Sequence, residues 1–401
     1  MPWSSRSSAA PAGAVGCLAF VLIGWSGLLV PSLIRSIKDA FGQSDAGLGL
    51  FFFVYAAAYA SGSLGGGLVT ERLGRRTVLS LAAALHGGGL VAFGLAASWP
   101  VFLAVALAAG LGAGGLDGGM NGLFLDLFRT GRGRALNLLH VFFSVGALTA
   151  PLVVGRLVEA GVAWQALLVA TGLAAYVVAG LFLLVTMPDG RHARAAADAT
   201  DAESGLGWLQ RTRGRLAPPL LLLGIAIAFY VASEVGVSSW LVRFLEPAPL
   251  TTATTALSLF WAGLAAGRLV SSRLADRYDH VQFAAASSIA MSVALVGAIL
   301  VPSLTLSIAL FALAGFATGP IFPTIIAIGG DRYPDRSAAV GGFLSSAAVA
   351  GSVVYPPIMG VLSVTLGLTV AMLGTVVLGL AGAGALLLVG RMQPAQVALS
   401  P

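Results

Sequence analysis

Two carboxylates stand in surroundings that disfavour charge. Asp117 lies inside the apolar run 100–128 and Glu234 inside the run 217–242. An acid at the centre of a membrane span costs roughly 2.5–3.5 kcal/mol on insertion scales, so a partner, water or a bound proton must offset it. Asn121 follows Asp117 by four residues and shares its helical face. Tyr230 and Ser238 flank Glu234 at the same spacing and make one polar stripe. A carboxyl that is neutral in one conformation and charged in another carries a proton. A carboxylate facing hydroxyls holds a polar solute. Each acid also has a structural reading, Asp117 tying its helix to its neighbours and Glu234 fixing the loop end of its own.

Other polar and aromatic groups are weaker signals. His140 sits about one turn inside the run 136–158, with Asn137 at i−3 and Ser144 at i+4. That stripe lines a cavity or is a satisfied interhelical contact. His86, beside Gly87-Gly88-Gly89, reads as packing. Trp25, Tyr55, Tyr59, Tyr230, Trp240, Phe260 and Trp261 offer rings on which the apolar C–H faces of a small solute could lie, or simply fill the core. Trp99 and Trp164, at span ends, read as interface anchors. Arg268, two turns before Asp276, is a snorkelling or acid-paired cation near one membrane face, or else a gating or substrate cation. No G-x-S-x-G, H-E-x-x-H or phosphate loop with Lys is present, so no enzyme, no metal and no cofactor is expected. Gly110-Leu-Gly112-Ala-Gly-Gly115 satisfies G-x-G-x-x-G but follows no strand. Gly110, Gly114, Gly118 and Gly122 form instead a small-residue ridge for close helix packing.

The elements that must hold these residues follow from composition. Of 401 residues, 58% are hydrophobic and 9% charged, with mean hydropathy +0.93, where a soluble domain carries about 25% charged residues. A soluble enzyme, a disordered regulator and an ordinary secreted domain are excluded. The net charge of +6 does not indicate nucleic acid, because the arginines sit in short loops between apolar runs. The single Cys17 permits no disulfide within the chain. Twelve apolar runs are long enough to span a bilayer: 12–34, 48–69, 77–97, 100–128, 136–158, 163–186, 217–242, 250–272, 281–301, 303–328, 338–363 and 367–390. They are continuous and not alternating, which excludes a barrel. The first is too long for a signal peptide and lacks a clean cleavage site. Gly319-Pro320 and Pro323 predict a kink or local unwinding in the tenth.

Positive charge orients the chain. With the N-terminus cytoplasmic, 17 of the 22 Lys and Arg fall on the cytoplasmic side, which predicts both termini inside. The use of Arg with a single Lys points to a GC-rich bacterial genome and an inner (plasma) membrane. Residues 189–216 are polar and of mixed charge and read as a cytoplasmic linker. It divides a six-helix bundle at 1–188 from a second at 217–401. The halves echo one another at a separation of 205 positions: Glu71-Arg72 with Asp276-Arg277, and Pro151 with Pro356. Transporters built from repeats bind at the midplane between their halves and rock around that site.

At these residues the chain resembles the major facilitator superfamily. Gly67…Glu71-Arg72-Leu-Gly74-Arg75-Arg76 is similar to its signature between the second and third helices, with Glu71 in place of Asp. Ser272…Asp276-Arg277…Asp279 is a weaker second copy. The resemblance implies a gating role for Glu71, Arg72, Arg75, Asp276 and Arg277, the acids capping neighbouring helices; plain topology-setting charge is the other account. The runs Gly112–Asn121, Leu136–Pro151, Tyr230–Trp240 and Phe260–Leu269 resemble the fucose-permease-like branch. That implies an all-α polytopic membrane protein of the major facilitator fold, expected as a monomer, which takes up a sugar or similar small polar solute with protons. The first span lacks the acid expected of the fucose permease, so Asp117 or Glu234 must carry any proton coupling. Asn121, Trp25, Tyr55, Tyr59, Asn137, His140, Tyr230, Ser238, Trp240 and Trp261 are then the candidate substrate contacts. The rival is a drug/proton antiporter exporting an amphipathic compound. Gly146–Gly155 resembles the fifth helix of that group, but Ala150 and Val154 replace Gly and its fourth-helix Arg is missing.

Overall fold

The computed structural model describes residues 4–128, 132–187, 218–274 and 277–392. The linker expected at 189–216, and Asp276, lie outside these. The elements of the described residues are all helices, joined by short turns, and twelve helical segments are long and apolar enough to cross a membrane. They run Pro11–Phe41, Asp45–Gly66, Arg75–Leu95, Trp99–Leu127, Leu138–Glu159, Trp164–Leu184, Pro218–Phe244, Leu250–Leu274, His280–Leu300, Leu304–Arg332, Val340–Leu366 and Leu368–Arg391. Their outer faces carry exposed side chains such as Leu95, Leu184, Val293 and Val377, as helices apolar all round do in lipid.

Two spans are broken. The first runs as Ser4–Gly27 and Leu29–Phe41. Pro31 supplies no N–H and its ring crowds the carbonyl of Gly27, so the ladder fails one turn ahead of the proline. The span is also longer than 12–34, continuing to Phe41, where Gly42 turns the chain with φ 60°. The tenth runs as Leu304–Thr318 and Ile321–Arg332, interrupted at Gly319-Pro320. Both residues at that break keep right-handed helical angles, so the predicted interruption is a kink and not an unwound segment.

The chain forms two compact units. One holds Met1–Thr200 with the hairpin Leu241–Ser258, and the other holds Asp201–Trp240 with Leu259–Pro401. The hairpin is fixed in the first unit by polar contacts. Arg35 Nε and Nη1 donate to the carbonyls of Val242 and Ala248 at 2.8 and 2.7 Å. Asp45 takes Lys38 Nζ at 2.7 Å and Arg243 Nε at 3.1 Å, and Glu159 accepts the Thr251 amide at 2.8 Å.

Each unit has its own glycine seam. In the first, a Cβ on Gly110 or Gly114 would collide with the Tyr55 or Tyr59 carbonyl, and one on Gly62 with that of Leu111, so the second and fourth spans touch along their backbones. In the second, Gly315 and Gly319 meet Phe260 and Leu264, and Gly267 meets Phe316. Every member of this second set lies 205 positions after its counterpart. The repeat extends to charge, since Arg75 pairs with Asp126 and His280 Nδ1 with Asp331 Oδ2 at 3.0 Å, again 205 positions on.

Candidate functional site

In the first unit, Asp117 is half-buried midway along the fourth span. Asn121 Nδ2 donates to its Oδ1 at 3.1 Å and to its backbone carbonyl at 3.0 Å. The Tyr59 hydroxyl, on the second span, is placed to donate to the same carboxyl. The seam explains the meeting. Gly114 brings the Tyr59 backbone against the fourth span one turn from Asp117. Tyr55, a turn away on the same face, stacks on Phe51 at 6.1 Å. The cluster is therefore one carboxyl among neutral donors and rings.

Other candidates in this unit have defined surroundings. Trp25 Nε1 donates to Thr171 Oγ1 at 3.0 Å. His140 is exposed and meets Phe20 edge-on at 5.5 Å, while Ser144 Oγ donates to the His140 carbonyl at 3.0 Å. Asn137 is helical, but its side chain lies outside the described residues. His86 is fully buried, with Nδ1 2.9 Å from the Ala109 carbonyl and Nε2 2.9 Å from Ser26 Oγ. Both ring nitrogens are thus engaged, as a packing histidine requires.

In the second unit, the Tyr230 hydroxyl donates to the Glu234 carboxylate one turn along the seventh span. The Arg268 guanidinium, from the eighth span, reaches the same phenol oxygen. Phe322, from the tenth, lies against the Tyr230 ring at 6.4 Å. Here too the seam sets the meeting, because Gly319 lets the kinked tenth span approach the Arg268 backbone. Ser238 continues the stripe, its Oγ buried with no hydrogen-bond partner among the described residues. Trp240 is fully buried and donates to the Pro356 carbonyl at 3.0 Å. Trp261 is buried edge-on to Phe260.

The signature residues are placed unevenly. Arg75 forms an ion pair with Asp126 at the end of the fourth span. Arg72 and Arg277 are exposed. Glu71 is helical with its side chain outside the described residues, as all of Asp276 is. No group of three His, Cys, Asp or Glu able to hold a metal occurs among the described residues. Sequence reasoning did not connect Arg268 with Tyr230, nor Asp126 with Arg75. Neither pair lies on one helix, and no spacing rule links them.

Comparison with known proteins adds the following. The profile described as Major Facilitator Superfamily matches residues 15–248 and 247–401. A "Glucose/galactose transporter" of Brucella abortus is 27% identical over 380 residues, covering 89% of this chain and 88% of the relative. Among solved structures, a bacterial homolog of the human lysosomal transporter Spinster superposes with TM-score 0.78 at 18% identity, covering 98% of both chains. The E. coli fucose:proton symporter FucP superposes with TM-score 0.63 at 19% identity, over 96% of this chain and 100% of the other.

Proposed function

The chain belongs to the Major Facilitator Superfamily, and from that premise we propose that it takes up a sugar together with protons by alternating access. It works as a monomer in a bacterial plasma membrane, with both termini cytoplasmic. The observation that carries this is the Asp117 cluster, a membrane-centred carboxyl held by the neutral groups Tyr59 and Asn121. A neutral surrounding leaves the carboxyl free to exist in both protonation states, which a proton carrier requires. Support for a sugar comes from the relative named for glucose and galactose.

The chemistry follows from the clusters. A sugar needs acceptors for its hydroxyls and rings for its C–H faces. Glu234 is an acceptor, Ser238 a donor and acceptor, Asn121 both, and Tyr55, Tyr59 and Trp261 supply rings. Asp117 is protonated while sugar is carried inward and gives up its proton to the cytoplasm. Arg72, Arg75 and Arg277, with Glu71 and Asp276, bias which conformation is populated.

Reconstituted protein in liposomes holding a trapped pH dye tests the proposal. Glucose or galactose added outside is expected to acidify the lumen. Proton efflux on adding a lipophilic cation, with no response to sugar, would move the assignment to antiport. No proton movement with any sugar would overturn proton coupling.

A further inference from the structure

The two membrane-embedded acids have neighbours of different charge. Around Asp117 stand Tyr55, Tyr59 and Ser63 of the second span and Asn121 of its own, all uncharged. Of the described cations of that unit, Arg72 and Arg76 are exposed at the end of the second span and the start of the third, and the others hold other groups. Lys38 and Arg243 hold Asp45, Arg75 holds Asp126, Arg35 holds two carbonyls and Arg156 holds the Leu152 carbonyl. Of the histidines, His86 is bound at both nitrogens and His140 lies against Phe20. Glu234 differs. Its donor Tyr230 is shared with the guanidinium of Arg268. The other groups against the seventh span near Glu234 are uncharged: Phe322 from the tenth, Tyr355 and Met359 from the eleventh, and Thr375 from the twelfth. The charged contacts of this span, Arg35 on the Val242 carbonyl and Asp45 on Arg243, lie two turns or more further along it.

We infer that Arg268 is the fixed counter-ion of Glu234, relayed through Tyr230, so that Glu234 remains a carboxylate through the whole cycle and Asp117 alone carries the proton. This rests on proton-coupled uptake as proposed above. Arg268 is a positioning residue: it keeps an ionised acceptor available to sugar hydroxyls by cancelling its charge. A guanidinium is always protonated and so suits a permanent countercharge. With one titrating acid, one proton accompanies each sugar. Residue 63, which stands 205 positions before Arg268, is a serine, so the first unit has no such cation at the matching position.

The decisive quantity is the proton-to-sugar ratio in proteoliposomes with the membrane potential clamped at zero. One proton per sugar means that a tenfold sugar gradient is balanced by about one pH unit, and two protons by about half a unit. Wild type is expected to balance near one unit. Glu234→Gln is expected to keep that ratio while its sugar KM rises about tenfold or more. Arg268→Met leaves a half-buried carboxylate without its countercharge and is expected to lose transport. The double variant Arg268→Met/Glu234→Gln removes both charges and is expected to regain proton-coupled uptake to the level of Glu234→Gln alone. Arg268→Lys is expected to retain the ratio. A wild-type ratio of two overturns the inference. So does loss of proton-driven uptake in Glu234→Gln with sugar exchange preserved, or a double variant no better than Arg268→Met. Absence of any sugar-driven proton flux in wild type overturns instead the proton coupling on which the inference rests. Glu234→Gln decides the question even where Arg268→Met fails to reconstitute.

Discussion

Asp117 and Glu234 both stand within membrane-spanning helices, yet their neighbours differ in charge. Replacing Asp117 by Asn keeps the shape and the Asn121 contact but removes the titrating group. Asp117→Asn is therefore expected to abolish uptake driven by a pH gradient while sugar exchange across the liposome persists. Both are read from radiolabelled sugar flux, and retained pH-driven accumulation would remove Asp117 from the coupling step. Glu234→Gln exchanges charge-assisted hydrogen bonds for neutral ones, a loss of about 1–1.5 kcal/mol per bond in sugar binding, measurable by calorimetry on purified protein. Half of each cluster was legible in the sequence. Asn121 beside Asp117 and Tyr230 beside Glu234 are four-residue neighbours on single helices. Tyr59 and Arg268 were not, because each comes from another helix, and which residue arrives depends on helix register.

That register is an element-scale property, set by glycines. Gly315 has no room for a methyl group against the Phe260 carbonyl, whereas nothing lies within 4 Å of the Cβ position at Gly384. Gly315→Ala is expected to cost about 1–3 kcal/mol by forcing two helices apart. Gly384→Ala, on an exposed face, is expected to stay within about 1 kcal/mol of wild type. Thermal unfolding midpoints in detergent compare the two. The twelve spans themselves were plain from apolar length. The kink in the tenth was plain from Gly319-Pro320, because both residues weaken a helix locally. The break at Leu28 was not, because its cause, Pro31, stands a turn further on and acts backwards on the Gly27 carbonyl. Of the small-residue ridge read at Gly110, Gly114, Gly118 and Gly122, the first three lie against the second span, while Gly122 is near Arg75 of the third; the partner could not be named from spacing alone.

At the scale of the whole chain, charge placement makes two further predictions. Seventeen of the 22 cationic residues fall on the side proposed to be cytoplasmic, which labelling can test. In a Cys17→Ser background, Ala97→Cys is expected to react with an impermeant maleimide on intact cells. Thr77→Cys is expected to react only after permeabilisation, and the reverse pattern would invert the topology. The hairpin Leu241–Ser258 depends on Asp45, whose buried carboxylate bridges Lys38 and Arg243. Asp45→Ala leaves Lys38 without its partner and Arg243 with Glu246 alone, and is expected to lower stability by about 3 kcal/mol, read as a lower unfolding midpoint. No local pattern announced this network, since its members are 7 and 198 residues apart from Asp45. The repeat of 205 positions has a consequence of another kind. Gly110, Gly114 and Gly62 keep their counterparts, but Trp25 faces Tyr230, Ser63 faces Arg268 and Asp117 faces Phe322 across the same interval. The contacts that hold helices together are conserved between the two copies, and the groups that do chemistry are free to differ. A duplicated gene with that division can exchange one cargo for another by altering a few side chains, and its descendants keep a common scaffold long after most of their sequence has diverged.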